Sequence, residues 1–413
     1  MSLRLLSGKT ILHNIINLRQ LVFEVTDDCN LRCYYCGFGD LYCDYDTRES
    51  RYLTLKDVLP LFDYLVNLWA NNYSEAACPQ VTIGFYGGEP LLNMPFIRDT
   101  VDYVKRLNIN RSFSFSLTTN AVLLDKHMQF LADNDVKLLI SIDGDKNSNG
   151  YRVFKSGKES FDLVLRNVHL LQDRFPKYFD KCVGFNSVVH NLNNENDIIS
   201  FIRKEFGKET MLSELNTSGV NPSKRDSFDK IFKTMHAPKL EGGSESSYNM
   251  IQNNPKAFAS MRYLQTQSNY LFDNYLDLLY DNNTGRKRFH TGTCLPFSRK
   301  MFVTVNGKIL PCERVSHRHA MGTVSNGELN LDCEQIASSF NAYHEKLEKM
   351  CAGCGLIEYC PQCMYQIDSI DSSRIECSMR KSKNDAALYK DQCIHYLVEH
   401  PGLYKTILSD VGM

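Results

Sequence analysis

The sequence predicts an α/β protein: a partial (β/α)6 barrel followed by a loop-rich domain dense in cysteine. Three observations carry this prediction. Short apolar, β-branched runs alternate with segments of helical spacing through the first half of the chain. Such repeated βα units imply a parallel sheet with helices outside it. Cysteine is over-represented, with 15 residues against a single Trp, and 9 of the 15 follow residue 290.

Residues 21–26 (LVFEVT) form the first predicted strand, closed by Asp27 and Asp28. Residues 53–69 carry apolar side chains at helical spacing, with Pro60 expected as an interruption. A strand at 81–86 and a helix at 96–107 make the second unit, and 113–118 and 125–133 the third. Residues 136–142 are an apolar run of buried-strand length, followed by an amphipathic segment at 160–171. A strand at 183–189, a helix at 197–206 and a sixth strand at 210–215 complete the series. Six units fall short of a closed eight-unit barrel, and the chemistry is expected at the C-terminal strand ends.

Residues 216–290 are more polar, with Gly242, Gly243 and Ser244 in a row and an aromatic-rich helical stretch at 263–280. The expected organisation is an N-terminal extension (1–20), the barrel (21–215), a helical insertion (216–290), the cysteine-rich domain (291–385) and a C-terminal helix (386–413). Lys and Arg total 47 against 48 Asp and Glu, a net charge of −1. That balance argues against nucleic acid or an anionic membrane as partner. No secretory layout opens the chain, and no apolar run approaches the about 20 residues of a membrane span. The expected location is the cytoplasm, where thiols stay reduced and metal binding is the leading explanation for so many cysteines.

Cys29, Cys33 and Cys36 form C-x3-C-x2-C directly after the first strand. Three close thiolates suit an iron–sulfur cluster, or zinc with Cys43 as fourth ligand. The spacing, its place after strand one, and Tyr35 before the third Cys resemble the radical S-adenosylmethionine (radical SAM) enzymes. The resemblance implies a 4Fe–4S cluster with one open iron that chelates SAM. Reductive cleavage of SAM there gives a 5′-deoxyadenosyl radical, which abstracts hydrogen from the substrate.

Other strand ends agree. Gly87, Gly88, Glu89 and Pro90 match the family's GGEP motif after strand two, where glycines permit close backbone approach to a ligand. Thr119 and Asn120 end strand three, with Ala121 where relatives often carry Gly. Ser141, Asp143 and Gly144 resemble the S-x-D-G segment near SAM. By the same resemblance Arg152 or Arg166, with Arg166 preferred, pairs the SAM carboxylate, and Asn186 on strand five faces SAM.

The C-terminal pattern of Cys294, Cys312, Cys351, Cys354, Cys360, Cys363 and Cys377 resembles the SPASM domain of such enzymes, although zinc-ribbon spacing is the alternative. The resemblance implies two auxiliary 4Fe–4S clusters, three clusters in all. Cys351, Cys354, Cys360 and Cys377 would hold one, and Cys294, Cys312 and Cys363 the other. Two residues separate Cys360 from Cys363, where the family usually has three. The fourth ligand of the second cluster is then the substrate, Cys393 or Cys333. Cys43, Cys78 and Cys182 read as small buried hydrophobes. Glu313, beside Cys312, matches the position of a base in sulfatase-maturating relatives.

The expected function is therefore peptide maturation: a thioether or other crosslink in a ribosomally made precursor peptide. Anaerobic sulfatase maturation, giving formylglycine, is the alternative, and a zinc-stabilised peptide-binding scaffold is the alternative outside enzymes. Anaerobically purified protein should be brown for iron–sulfur clusters and colourless for zinc alone. The implied partners are the precursor peptide and an electron donor such as flavodoxin or ferredoxin. The leader is expected to be read by a separate protein or by the 216–290 insertion, because Cys29 leaves little room before it.

Overall fold

The computed structural model describes residues 5–74, 79–235, 257, 260–261, 291–357, 360 and 362–402. Contacts divide the chain into two units. One comprises Ile15–Met235 and Arg299–Leu331, and the other Met1–Asn14, His236–Ser298 and Asp332–Met413.

The first of these units is built on a ten-stranded open sheet. Its strands are β1 (Gln20–Thr26), β2 (Gln80–Gly87), β3 (Ser112–Thr119), β4 (Lys137–Ser141), β5 (Val183–Val188) and β6 (Thr210–Ser213), then β7 (Lys300–Val303), β8 (Lys308–Leu310), β9 (Gly322–Ser325) and β10 (Glu328–Asn330). β1 to β6 lie side by side, all parallel, in chain order. The six-unit partial barrel is therefore present. β7 adds to the other edge of β1, also parallel, and β8, β9 and β10 extend it as an antiparallel meander.

β1 is buried along six of its seven residues, as an interior parallel strand should be. Phe23 is fully buried between Phe62 and Phe96, each with ring centroids 5.5 Å away. Those rings come from α2 (Leu55–Asn71) and α3 (Met94–Lys105), which cover one face of the sheet. Pro60 does not interrupt α2. One backbone bond is lost, but Val58, Leu61, Phe62, Leu65 and Trp69 form a continuous buried stripe that carries the helix through it. Asp57 fixes its start by accepting from Thr54 N–H at 2.8 Å.

α4 (Met128–Asp133), α5 (Phe161–Arg174), α6 (Pro176–Cys182), α7 (Glu195–Phe206) and α8 (Arg225–Ile231) complete the helices described in this unit. α7 is closed by Asn194, whose side chain accepts from Asp197 N–H, and by Gly207 in the left-handed region. The short α1 (Gly8–Ile16) precedes β1.

The other unit holds α9 (Cys333–Cys351) and α10 (Lys383–Glu399), joined by an irregular cysteine-bearing segment. Residues 299–331, assigned by sequence to the cysteine-rich domain, group with the sheet. The aromatic stretch at 263–280 and Cys78 lie outside the described residues. Among the described residues no helix is long and apolar enough to cross a membrane.

Candidate active site

Cys29, Cys33 and Cys36 lie on the loop leaving the C-terminal end of β1. That loop pairs with a segment after β4. Arg32 N–H donates to Val153 O at 2.7 Å and Tyr34 N–H to Tyr151 O at 3.0 Å. Two turns follow, Cys36 N–H to Cys33 O (3.1 Å) and Gly39 N–H to Cys36 O (2.8 Å). Burial pushes the Cys29 and Cys33 thiols up to about 12.

The loop is clasped by the end of β2. Gly87 has φ +131°, and a Cβ there would lie 2.3 Å from Thr26 O. A Cβ on Gly88 would lie 2.0 Å from Asp28 O. Only glycine permits this approach. The close contact is with the chain's own backbone: Gly88 N–H donates to Thr26 O and Glu89 N–H to Asp28 O, both at 2.9 Å. Pro90 then starts a short 3-10 turn, Pro90–Asn93.

Glu89 is fully buried. Its carboxyl accepts from Thr119 Oγ1 (2.7 Å), Asn120 N–H (2.8 Å) and Leu91 N–H (3.1 Å), tying β2 to the end of β3. Burial raises it to about 7, against the pull of these three donors. Asn120 reaches on to the cysteine loop, donating to Asn30 Oδ1 at 2.7 Å and approaching Cys29 Sγ at 3.7 Å. Ala121 has φ +62°, which explains why glycine suits this position. Asn167 holds the turn by donating to the Ala121 and Val122 carbonyls, each at 3.0 Å.

Ser141 ends β4 half-buried, and Asp143 two residues later is fully buried. Asp143 accepts from Tyr35 OH, Arg152 Nε (3.0 Å) and Val188 N–H (2.9 Å), with His190 Nε2 at 3.7 Å. Burial opposes its charge, but Arg152 and the hydrogen bonds hold Asp143 below the usual carboxylate range. Arg152 is itself buried, and its Nη1 stands 4.0 Å from Cys33 Sγ.

Arg166 differs. Its side chain on α5 is 63% exposed, 3.7 Å from Asp125 and 2.9 Å from Asn167 Oδ1. Asn186 sits half-buried on β5 beside Ser141 of β4, and its carbonyl accepts from Ile142 N–H at 3.1 Å.

Cys312 follows β8 in the same unit. Arg314 N–H donates to its sulfur at 3.4 Å, and Glu313 Oε2 is 3.5 Å away. Burial pushes the Cys312 thiol up to about 12. Lys300 on β7 holds both Glu313 oxygens, at 2.7 and 2.9 Å. Burial works against the Glu313 charge, but the Lys300 ammonium outweighs it and lowers the carboxyl below its ordinary value.

In the other unit, Cys351, Cys354, Cys360 and Cys377 line a single cavity with Thr291, Ile367 and Arg380. Burial pushes the Cys351 thiol up to about 12, reinforced by the other three sulfurs. Cys363 leads the turn Met364–Gln366, and Met364 N–H donates to Thr293 Oγ1 at 2.8 Å. Cys294 is exposed, Cys333 starts α9, and Cys393 is buried in α10. Cys294 and Cys363 belong to this unit and Cys312 to the other.

Among the described residues no three His, Cys, Asp or Glu converge tightly enough for one metal ion. Four thiols around one cavity match in number and kind the separate sulfurs that the four irons of an iron–sulfur cube would take. Cys182 is buried as expected, whereas Cys43 is exposed, its sulfur 3.8 Å from Gly219 O. Cys43 N–H donates to Gly219 O at 3.0 Å, which sets the loop there with the thiol exposed.

Four contributors were not foreseen: Asn30, His190, Lys300 and the Glu24–Arg48 pair under the loop (3.2 Å). Glu24 inside an otherwise apolar strand was the one available signal, since a charge there needs a partner.

Residues 23–204 match the Radical SAM superfamily. A cysteine-type anaerobic sulfatase-maturating enzyme of Clostridium novyi is 26% identical over 316 residues, covering 72% of this chain and 74% of that protein. The uncharacterized protein MJ0907 of Methanocaldococcus jannaschii is 32% identical over 177 residues, 43% of this chain and 54% of its own length. The radical SAM cyclopropyl synthase TigE of Paramaledivibacter caminithermalis is 24% identical, over 49% of this chain and 42% of that one. The chain thus spans about half the length of two of these relatives. Among solved structures, native anSMEcpe with bound AdoMet superposes with a TM-score of 0.58 at 19% identity, covering 94% of this chain and 99% of that one. That likeness supports the fold.

Proposed function

Because residues 23–204 carry a radical SAM domain, which implies a 4Fe–4S cluster and SAM, we propose that this chain is a radical SAM/SPASM peptide maturase. Its substrate is a ribosomally made precursor peptide, and its product a thioether or other crosslink. The observation that carries the reading is the loop bearing Cys29, Cys33 and Cys36, pinned at the C-terminal strand ends by Gly87, Gly88 and Asn120.

When bound, the cluster and SAM supply a 5′-deoxyadenosyl radical by one-electron cleavage. The chain's own residues do the rest. Cys29, Cys33 and Cys36 would hold the cluster. Glu89 braces Thr119 and Asn120 so that the ends of β2 and β3 form one wall. Ser141 and Asn186 stand next to each other on β4 and β5, half-buried, where they can meet SAM polar groups. Arg166, with a side chain 63% exposed, is the residue that would pair the SAM carboxylate. Glu313, held ionised by Lys300, is an acceptor for a substrate proton.

Cys351, Cys354, Cys360 and Cys377 would hold one auxiliary cluster, and Cys294, Cys312 and Cys363 would contribute to a second. An external flavodoxin or ferredoxin delivers the electron in the cytoplasm.

Formylglycine formation is the second reading, favoured by the Clostridium novyi relative and by Glu313 beside Cys312. Mass spectrometry of candidate precursor peptides, incubated anaerobically with SAM and reductant, decides between them. A crosslinked product loses two hydrogens and keeps its sulfur. A formylglycine product exchanges the cysteine sulfur for oxygen and also loses two hydrogens. No change in any peptide encoded beside the gene would contradict the maturase reading.

A further inference from the structure

We propose that Arg152 and Asp143 are a charge pair that sets the reduction potential of the cluster held by Cys29, Cys33 and Cys36, rather than ligands of SAM. The inference rests on the cluster assignment above and adds a role to two residues of that site.

The geometry begins with the backbone. Tyr34 N–H to Tyr151 O and Arg32 N–H to Val153 O flank Cys33 on one segment and Arg152 on the other. This pairing sets Cys33 opposite Arg152, and Ser160 Oγ donates to Arg152 O at 2.6 Å to fix the second segment. The Arg152 guanidinium is thereby buried with Nη1 4.0 Å from Cys33 Sγ and its carbon 5.6 Å from the Tyr35 ring centre. Two further donors face the neighbouring sulfur, Leu31 N–H at 3.4 Å and Asn120 Nδ2 at 3.7 Å from Cys29 Sγ.

Asp143 has no capacity left for SAM. One oxygen takes Val188 N–H and Arg152 Nη2 (3.4 Å), and the other takes Tyr35 OH and Arg152 Nε. His190, also fully buried, closes the remaining side. The groups acting on Arg152 are thus the Asp143 carboxylate, the Tyr35 phenol and the Cys33 sulfur, and its charge also reaches the buried Glu89 carboxyl. A buried cation beside a cluster thiolate favours the reduced, more negative state, and the carboxylate behind it offsets part of that effect. Hydrogen bonds to cluster sulfurs act in the same direction as the cation.

Opposite charges should therefore give opposite shifts. Removing the cation with Arg152→Met makes the cluster harder to reduce. Removing the anion with Asp143→Asn, which keeps the shape and most hydrogen bonds, makes it easier to reduce. Arg152→Lys keeps the charge and should retain the direction of the wild-type effect.

The test is an EPR-monitored redox titration of the full-length, anaerobically reconstituted protein, with dithionite as the one-electron reductant. The radical-site signal is the component that Cys29→Ala removes. A more negative midpoint in Arg152→Met, a more positive one in Asp143→Asn, and a value in Arg152→Lys nearer wild type than Arg152→Met support the proposal. Unchanged midpoints, or shifts of the same sign in the Met and Asn variants, overturn it while leaving the cluster assignment intact. If wild-type protein has no signal that Cys29→Ala removes, the cluster assignment fails and this proposal falls with it.

Discussion

The two cysteine regions are organised in different ways. The loop of Cys29, Cys33 and Cys36 grows out of a sheet and is held by backbone bonds, two close glycine contacts and the side-chain donors Asn120 and Arg152. Cys351, Cys354, Cys360 and Cys377 line a cavity between the end of α9 and the start of α10, with little regular structure between those helices. The first site is shaped by the fold around it. The second depends more on whatever its thiols bind, because the backbone bonds described there are mostly local turns such as Cys354 N–H to Cys351 O, Gln366 N–H to Cys363 O and Arg380 N–H to Cys377 O.

Removing the metal should make this contrast largest. Chelation of iron should increase amide hydrogen exchange across residues 351–380 by orders of magnitude, while β1 to β5 stay protected. Equal loss of protection in both regions would end the distinction. Next comes selective loss of iron. Cys351→Ala should lower total iron yet keep the radical-site EPR signal, whereas Cys33→Ala should remove that signal and keep the auxiliary ones. Loss of every signal in either variant would mean that the two regions are not independent.

Gly88→Ala sharpens the claim that the first site is shaped by packing. Its Cβ would meet Asp28 O at 2.0 Å, so the loop must move. We expect about 2–4 kcal/mol of destabilisation by denaturant titration, in the range of severe core strain. Ala121→Gly is the smallest test. Relief of the φ +62° backbone and loss of one buried methyl oppose each other, so the net change should stay within about 1 kcal/mol.

Much of this contrast was legible in the sequence. β1 to β6 could be read because their apolar residues form short runs, near-continuous in β1 and alternating in β3, and both cysteine groups because their spacing is short. β7 to β10 could not, since strands of three or four residues such as Lys308–Leu310 carry too little periodicity. The glycines of residues 87–88 were identified, but their nearest neighbour is Thr26–Asp28 backbone, a contact that only the β1–β2 register creates. The roles of Arg152 and Arg166 could not be separated either. Their surroundings differ because Arg152 follows a segment that pairs with the cysteine loop, while Arg166 lies on the outer side of α5.

The central claim, that the loop after β1 supports SAM radical chemistry, is tested most directly by measuring 5′-deoxyadenosine. Wild-type protein with SAM and reductant under anaerobic conditions should form it, and Cys33→Ala protein should form none. Equal yields from the two proteins, or none from a wild-type preparation with a full complement of iron, would contradict the account.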